Sequence, residues 1–572
     1  MTTPRAVPQQ LEAMKRAYGP GCARRCERLL ITCRGVQFND VASLIRFHDS
    51  LLFFRAFPQS SAVARLADQL LATLEPQVKE LSSSPANTEA FDDETVSGIA
   101  GTTITNAWTY QLAARLAARY QRQVSAEWNV DERYRQMITV LPPLLPLLED
   151  DSYVEADTPY LEWIEAAAGR RESELRWLID NFSNLPLSPE TRTSLYDSLG
   201  VEVIWDLSAS PASRTLARRV VSEVFVHEEP LLQRKQVSLE REIFSEPLPL
   251  RQLSRKAGEA IIDMVQDAVA VRYRELQGTT YGDSTQVIET DAGRGLQLFF
   301  WGLDRQWRLP LRAYYAGFAL KNGVPINYFE AIGFFEWMEV GFNTFYAYRE
   351  GETAWVYSQY LRLLHQVAGT TCISVYPYQI GQDNEEAISS GAFWFYRKLG
   401  FRPGRPDLLK LVQREESWIS RNPNHRSSKR TLRKLAEGHI FFEFGSAEAG
   451  QWDTFSTRNV GLAVQRKMAA DFEGDAQKMR QATASKLAQM LNISLASLGS
   501  RERWAFDNFA VTLSLVSDLK RWSPDEKRLL LAIIRAKSGP SETRYLRLLQ
   551  RHARLRNALV QIGSQAQDKC SG

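Results

Sequence analysis

The chain is poor in cysteine, with five in 572 residues. So few in so long a chain exclude a secreted disulfide framework, and a reducing, cytoplasmic location is the expectation. Long apolar runs are also missing. The stretch "MITVLPPLLPLLEDD", from Met137, comes nearest to a membrane span, but it is short and interrupted by three prolines. A spanning helix needs about 20 apolar residues, so no membrane partner is expected. The first residues carry no apolar segment of the signal-peptide kind. Net charge is only +3, too little to mark a nucleic-acid binder by itself.

Metal-ligand patterns are lacking as well. Cys22, Cys26 and Cys33 are spaced C-x3-C-x6-C, unlike the paired C-x2-C of zinc ribbons. His227, in "HEEP", has no second histidine four residues on, as a zinc-protease helix requires. The acidic run Leu148–Trp163 does not have calcium-loop spacing. Buried thiols, a solvated acidic face and no metal are the expectation.

What is present is a composition of 44% apolar and 24% charged residues, ordinary for a soluble globular protein of two to four domains. Residues 1–250 read as a mostly helical region. A long helix is expected from Ser254 to about Gly278. The pattern then changes to aromatic-rich strands, "GLQLFFWGL", "LRAYYAGFALKNG" and "INYFEAIGFFEW". Asn322-Gly323 between apolar runs signals a hairpin. "GFNTFYAYREGE" reads as a further strand and "AWVYSQYLRLLHQVAG" as a helix stopped by Gly369. "TTCISVYPYQIG" reads as another strand, and "NEEAISSGAFWFYRKLGFRP", from Asn384, as a last helix ending at Gly400-Phe401. Residues 251–420 thus form a mixed α/β domain. Residues 421–450 read as a basic linker, with six Lys/Arg and no acid between Arg421 and Leu435. Residues 451–572 read as a second helical region, its final apolar stripe packed on its own bundle. The fold class is α+β and multidomain, a central mixed sheet flanked by helical regions.

The turn "REGETAW" sets backbone N–H groups at a helix start, where a pyrophosphate can be held. If the strands ending near Tyr348 and Pro377 splay apart, a cofactor fits between them, as in open α/β sheets generally.

The arrangement from about residue 285 to 405 resembles the GNAT superfamily of acyl-CoA N-acyltransferases. The family often ends this region with Asn-x-x-Ala-x-x-x-Tyr-x-Lys-x-Gly-Phe. Here Ser389 stands in the Asn place, followed by Ala392, Tyr396, Lys398, Gly400 and Phe401. The family's pyrophosphate turn is Gln/Arg-x-x-Gly-x-Gly/Ala. Aligned on Gly351, it puts Tyr348 first and Thr353 last, with Arg349 and Ala354 one place off. Glu350 and Glu352 crowd this turn and must point away from a bound phosphate. The resemblance implies acetyl-CoA or another acyl-CoA as co-substrate, bound by Tyr348, Arg349, Gly351, Thr353, Ala354 and Ser389. It implies Tyr396 as the acid that protonates the leaving thiolate, and a carboxylate, Glu330, Glu336 or Glu339, as base. The acceptor is an amine on a small molecule or protein that the sequence does not identify. A non-catalytic scaffold or ligand sensor on the same fold is the alternative. A nucleic-acid-associated protein is a weaker one, because no aromatic residue interrupts the basic run.

Overall fold

The structure, a computed structural model, describes residues 6–127, 140, 144, 145, 160–169, 173–422 and 424–564. Most of the proline-broken run after Met137 and of the acidic run before Trp163 lies outside them. No helix among the described residues is long and apolar enough to cross a membrane. The molecule is mixed α/β, with helical regions on either side of a large mixed sheet.

The N-terminal region is helical but not purely so. Helix α1 (Val41–Ala56) starts at Asp40, whose carboxylate accepts the Ser43 N–H at 2.8 Å, an N-cap that satisfies one free donor. Its Leu44, Phe47, Leu51, Phe53 and Phe54 are all buried, so it lies inside the protein rather than on its surface. Cys22, Cys26 and Cys33 are buried free thiols nearby, and burial pushes the Cys26 thiol up to about 12. Strands β1 (Thr103–Ala107), β2 (Val124–Glu127) and β3 (Glu202–Asp206) make a separate antiparallel sheet, order β1-β3-β2. The sequence reading missed it because each strand is too short to show a period.

The large sheet holds β4 (Leu250–Gln252), β5 (Ile288–Asp291), β6 (Leu296–Gly302), β7 (Ala313–Lys321), β8 (Val324–Phe334), β9 (Trp337–Thr344), β10 (Cys372–Val375), β11 (Arg402–Pro403) and β12 (Ile440–Glu443). Their order is β11-β12-β10-β9-β8-β7-β6-β5-β4. Every neighbouring pair is antiparallel except β9 and β10. Every residue of β7 is buried, which is why it reads as a continuous apolar run rather than an alternation. Asn322 and Gly323 both take positive φ, +50° and +78°, the backbone a two-residue hairpin turn requires. The turn also anchors α1: Asn322 Nδ2 donates to Ala56 O at 2.9 Å.

Several expected elements differ. The helix expected from Ser254 is α2, Arg255–Ala270; Tyr273 takes a left-handed φ of +56° soon after, which ends it. The segment read as a basic linker, residues 421–450, is built into the sheet. It carries a helix, Lys429–Leu435, and then β12, which inserts between β10 and β11. Within it, Arg433 pairs with Glu385 and Lys434 with Glu437. The last apolar stripe is split into α6 (Glu542–Gln550) and α7 (Ala553–Ser564). α6 packs on the sheet, with Leu546 against Gly333.

Candidate functional site

Parallel strands need a crossover, and helix α3 (Thr353–Ala368) provides it, ended by Gly369 at φ +72°. β9 and β10 pair only through Trp337↔Cys372, Met338↔Ile373 and Glu339↔Ser374. Beyond that register β9 runs on to Thr344, held only by β8, whereas Pro377 starts a short helix, Pro377–Ile380. The expected strands past Thr344 and Val375 are therefore absent. Proline removes the donor a ladder would need, and the two chains part.

A cavity of about 320 Å³ lies where they part. β9 contributes Phe342, Asn343 and Thr344, and the start of α3 contributes Thr353. The facing wall comes from Gln379 and from the segment expected as one last helix. That segment is two helices, α4 (Glu385–Ser390) and α5 (Ala392–Arg397), broken at Gly391 with φ +68°. The left-handed glycine closes α4 and lets α5 start in a new direction, which turns Ala392, Phe395 and Tyr396 into the cavity.

Tyr396 is 4% exposed. Its ring sits edge-on to Tyr357 at 5.6 Å and to Phe401 at 5.5 Å. Gly400 at φ +109° supports the stop after it, and Phe401 N–H bonds back to Tyr396 O at 3.3 Å. The ring is fixed, yet no hydrogen-bond partner among the described residues meets its hydroxyl. Burial pushes that hydroxyl's pKa up, so it holds its proton at neutral pH.

The turn before α3 is more occupied than its sequence suggests. No side chain caps α3, so its first N–H groups have no side-chain acceptor, and of its first turn Thr353 borders the cavity. Arg349 Nε donates to Thr344 O at 3.2 Å, and its guanidinium stacks on Tyr346 at 3.6 Å. Its Nη2 donates to Glu386 Oε1. Glu350 turns outward to Arg16. Glu352 turns inward, fully buried, to Arg294 and to Lys321, whose Nζ lies 3.1 Å from Oε2. Burial alone would raise the Glu352 carboxyl, but Lys321 and Arg294 outweigh it and hold it at about 2.

Of the expected cofactor residues, Arg349 and Thr353 line the cavity. Tyr348 and Ala354 are buried behind the turn, at 2% and 4% exposure. Gly351 is covered by the N-terminal region: a Cβ there would lie 2.5 Å from the Phe57 ring, so the glycine is needed for close approach. Ser389 is on the exposed side of α4, away from the cavity.

The three carboxylate candidates separate clearly. Glu336 sits at the opposite end of β9 from Thr344, gripped by Arg556 Nε at 2.9 Å and by Trp452 Nε1 at 2.8 Å. Glu339 accepts a contact from His439 Nε2 at 2.9 Å. Glu330 is on β8 directly opposite Gly341. Its Oε1 accepts Tyr314 Oη at 2.5 Å and Gly278 N–H at 3.1 Å, and burial holds its carboxyl above the usual range against both bonds. Glu330 does not line the cavity. Its partner across the sheet, Gly341, lies next to the cavity: a Cβ on Gly341 would lie 3.6 Å from Gln379 Nε2, a cavity residue. Sequence reasoning missed Phe342, Gln379 and Glu386. The two-residue alternation along β9 carried the signal for Phe342.

Comparison with protein-family models, with curated proteins and with solved structures finds no match to this chain.

Proposed function

We propose that the chain is an acyl-CoA-dependent N-acyltransferase built on a GNAT-type domain, with the cavity between β9 and α5 as its thioester site. The observation that carries this reading is the Tyr396 hydroxyl. It is fixed, protonated and unpaired, in a cavity opened by the divergence of the one parallel pair in an otherwise antiparallel sheet. Strand, helix, parallel strand and a helix ending in Tyr-x-Lys-x-Gly-Phe follow in the order the resemblance implies. The uncapped start of α3 and Arg349 supply the positive end that a pyrophosphate needs.

In this reading an amine nitrogen attacks the carbonyl carbon of acetyl-CoA or another acyl-CoA. The carbon–sulfur bond breaks, and Tyr396 gives its proton to the departing sulfur. The amine's proton passes to Glu330, through water at Gly341, because a carboxyl raised by burial is matched to that task at neutral pH. The covering of Gly351 by Phe57 favours a second reading, a sensor that binds the same ligand without transfer. Both readings predict that saturating CoA raises thermal stability through linkage, equivalent to about 1–3 kcal/mol. An unchanged Tm at millimolar CoA removes both and leaves a scaffold.

A further inference from the structure

Three arginines meet inside the protein where α1, the segment after β3, the end of α2 and the turn before α3 come together. Arg55, Arg214 and Arg272 are 5%, 3% and 6% exposed. All three lie near enough to Tyr348 to act on its hydroxyl electrostatically. Counter-charge is scarce. Asp49 Oδ1 lies 3.8 Å from Arg214 Nη2, and Asp68 Oδ1 lies 3.7 Å from Arg55 Nη1, both beyond hydrogen-bond length. Asp68 is shared with Arg218. His48 adds no charge: burial lowers its pKa, and its Nε2 bonds Thr215 Oγ1 at 3.0 Å.

Backbone carbonyls take part of the load. Arg55 Nη1 donates to Thr215 O at 2.7 Å and Arg214 Nη1 to Thr95 O at 2.9 Å. Arg272 bonds Ala268 O and lies flat on Phe345 at 3.8 Å. Three buried N–H positions still have no acceptor among the described residues, Arg55 Nε, Arg214 Nε and Arg214 Nη2. Buried donors are almost always paired, and a buried charge without a counter-ion is costly. Burial together with Arg214 brings Arg272 down to about 9, as expected for a guanidinium short of negative charge.

We infer that this cluster is a binding site for a small inorganic anion, of halide size. It is distinct from the proposed thioester site, because none of the three arginines lines that cavity. An anion bound to Arg55, Arg214 and Arg272 pins the N-terminal helices to the turn that begins α3.

The test uses the full chain and chloride as probe. Chloride is titrated against gluconate, which is too bulky for the cluster, at constant ionic strength. Tm is expected to rise along a saturable curve by about 2–4 °C in chloride and to stay flat in gluconate. Crystals grown in bromide should show an anomalous peak between the guanidinium groups. Arg272→Met, with Arg214→Met as a second variant where the first does not fold, should lose the chloride response. Superimposable curves in the two salts overturn the site. So does a bromide map with only water at the cluster, or a folded variant that keeps the full response.

Discussion

Arg349 and Glu386 meet at 2.5 Å across the mouth of the cavity, one from the turn before α3 and the other from α4. Both side chains are about one-third exposed, at 34%, so the pair is worth at most about 1 kcal/mol. Its position matters more than its strength. It ties the two walls of the cavity together and occupies the cation that a bound phosphate would use.

Glu386→Gln is therefore expected to tighten CoA binding. The change removes a negative charge beside the phosphate position and frees Arg349. A fall of about twofold to fivefold in Kd, read by calorimetry at low salt, matches a part-exposed pair. Weaker binding in the variant would show that Arg349 must be held by Glu386 to face the ligand.

Glu352 gives a prediction in pH. Its carboxyl is held at about 2 in the folded chain, below its value of about 4.3 when unfolded. The group therefore adds stability that is complete above about pH 4.5 and is lost as pH falls towards 2. Urea unfolding of the wild type should weaken steeply across that window. Glu352→Gln should be less stable at neutral pH, because Lys321 and Arg294 lose their partner, and should show a flatter acid limb. Parallel acid limbs in the two proteins would place the acid sensitivity elsewhere.

Much of this fold was legible from residues alone. Asn322-Gly323 announced the β7–β8 hairpin, Gly369 the end of α3, and Gly400-Phe401 the stop that fixes Tyr396. Gly391 did not announce the break between α4 and α5, because an isolated glycine in a helical pattern is usually tolerated. β12 was hidden for a different reason. Four residues give no period, and their partners in β10 lie far away in sequence. The charged residues were the hardest to read. Nothing in the residues around Glu352, Arg55, Arg214 and Arg272 marks them as buried, and only tertiary packing makes them so.

The carboxylates are separated by two substitutions. Glu330→Gln is expected to lower turnover by about 10²-fold or more, and to flatten its rise with pH, with CoA affinity unchanged. Glu339→Gln should stay within a few-fold of wild type, because Glu339 is already engaged with His439. The opposite ranking would move the base to the Glu339–His439 pair.

One rate tests the proposed chemistry most directly: release of CoA thiol from acetyl-CoA in the presence of primary amines, compared between wild type and Tyr396→Phe. The substitution removes a hydroxyl that has no hydrogen-bond partner among the described residues and keeps the ring packed on Tyr357 and Phe401, so the fold survives it. Amine-dependent turnover is expected in the wild type and a loss of about 10²–10⁴ in the variant, with unchanged CoA affinity. Equal turnover in the two proteins, or no amine-dependent thiol release by the wild type, contradicts that chemistry.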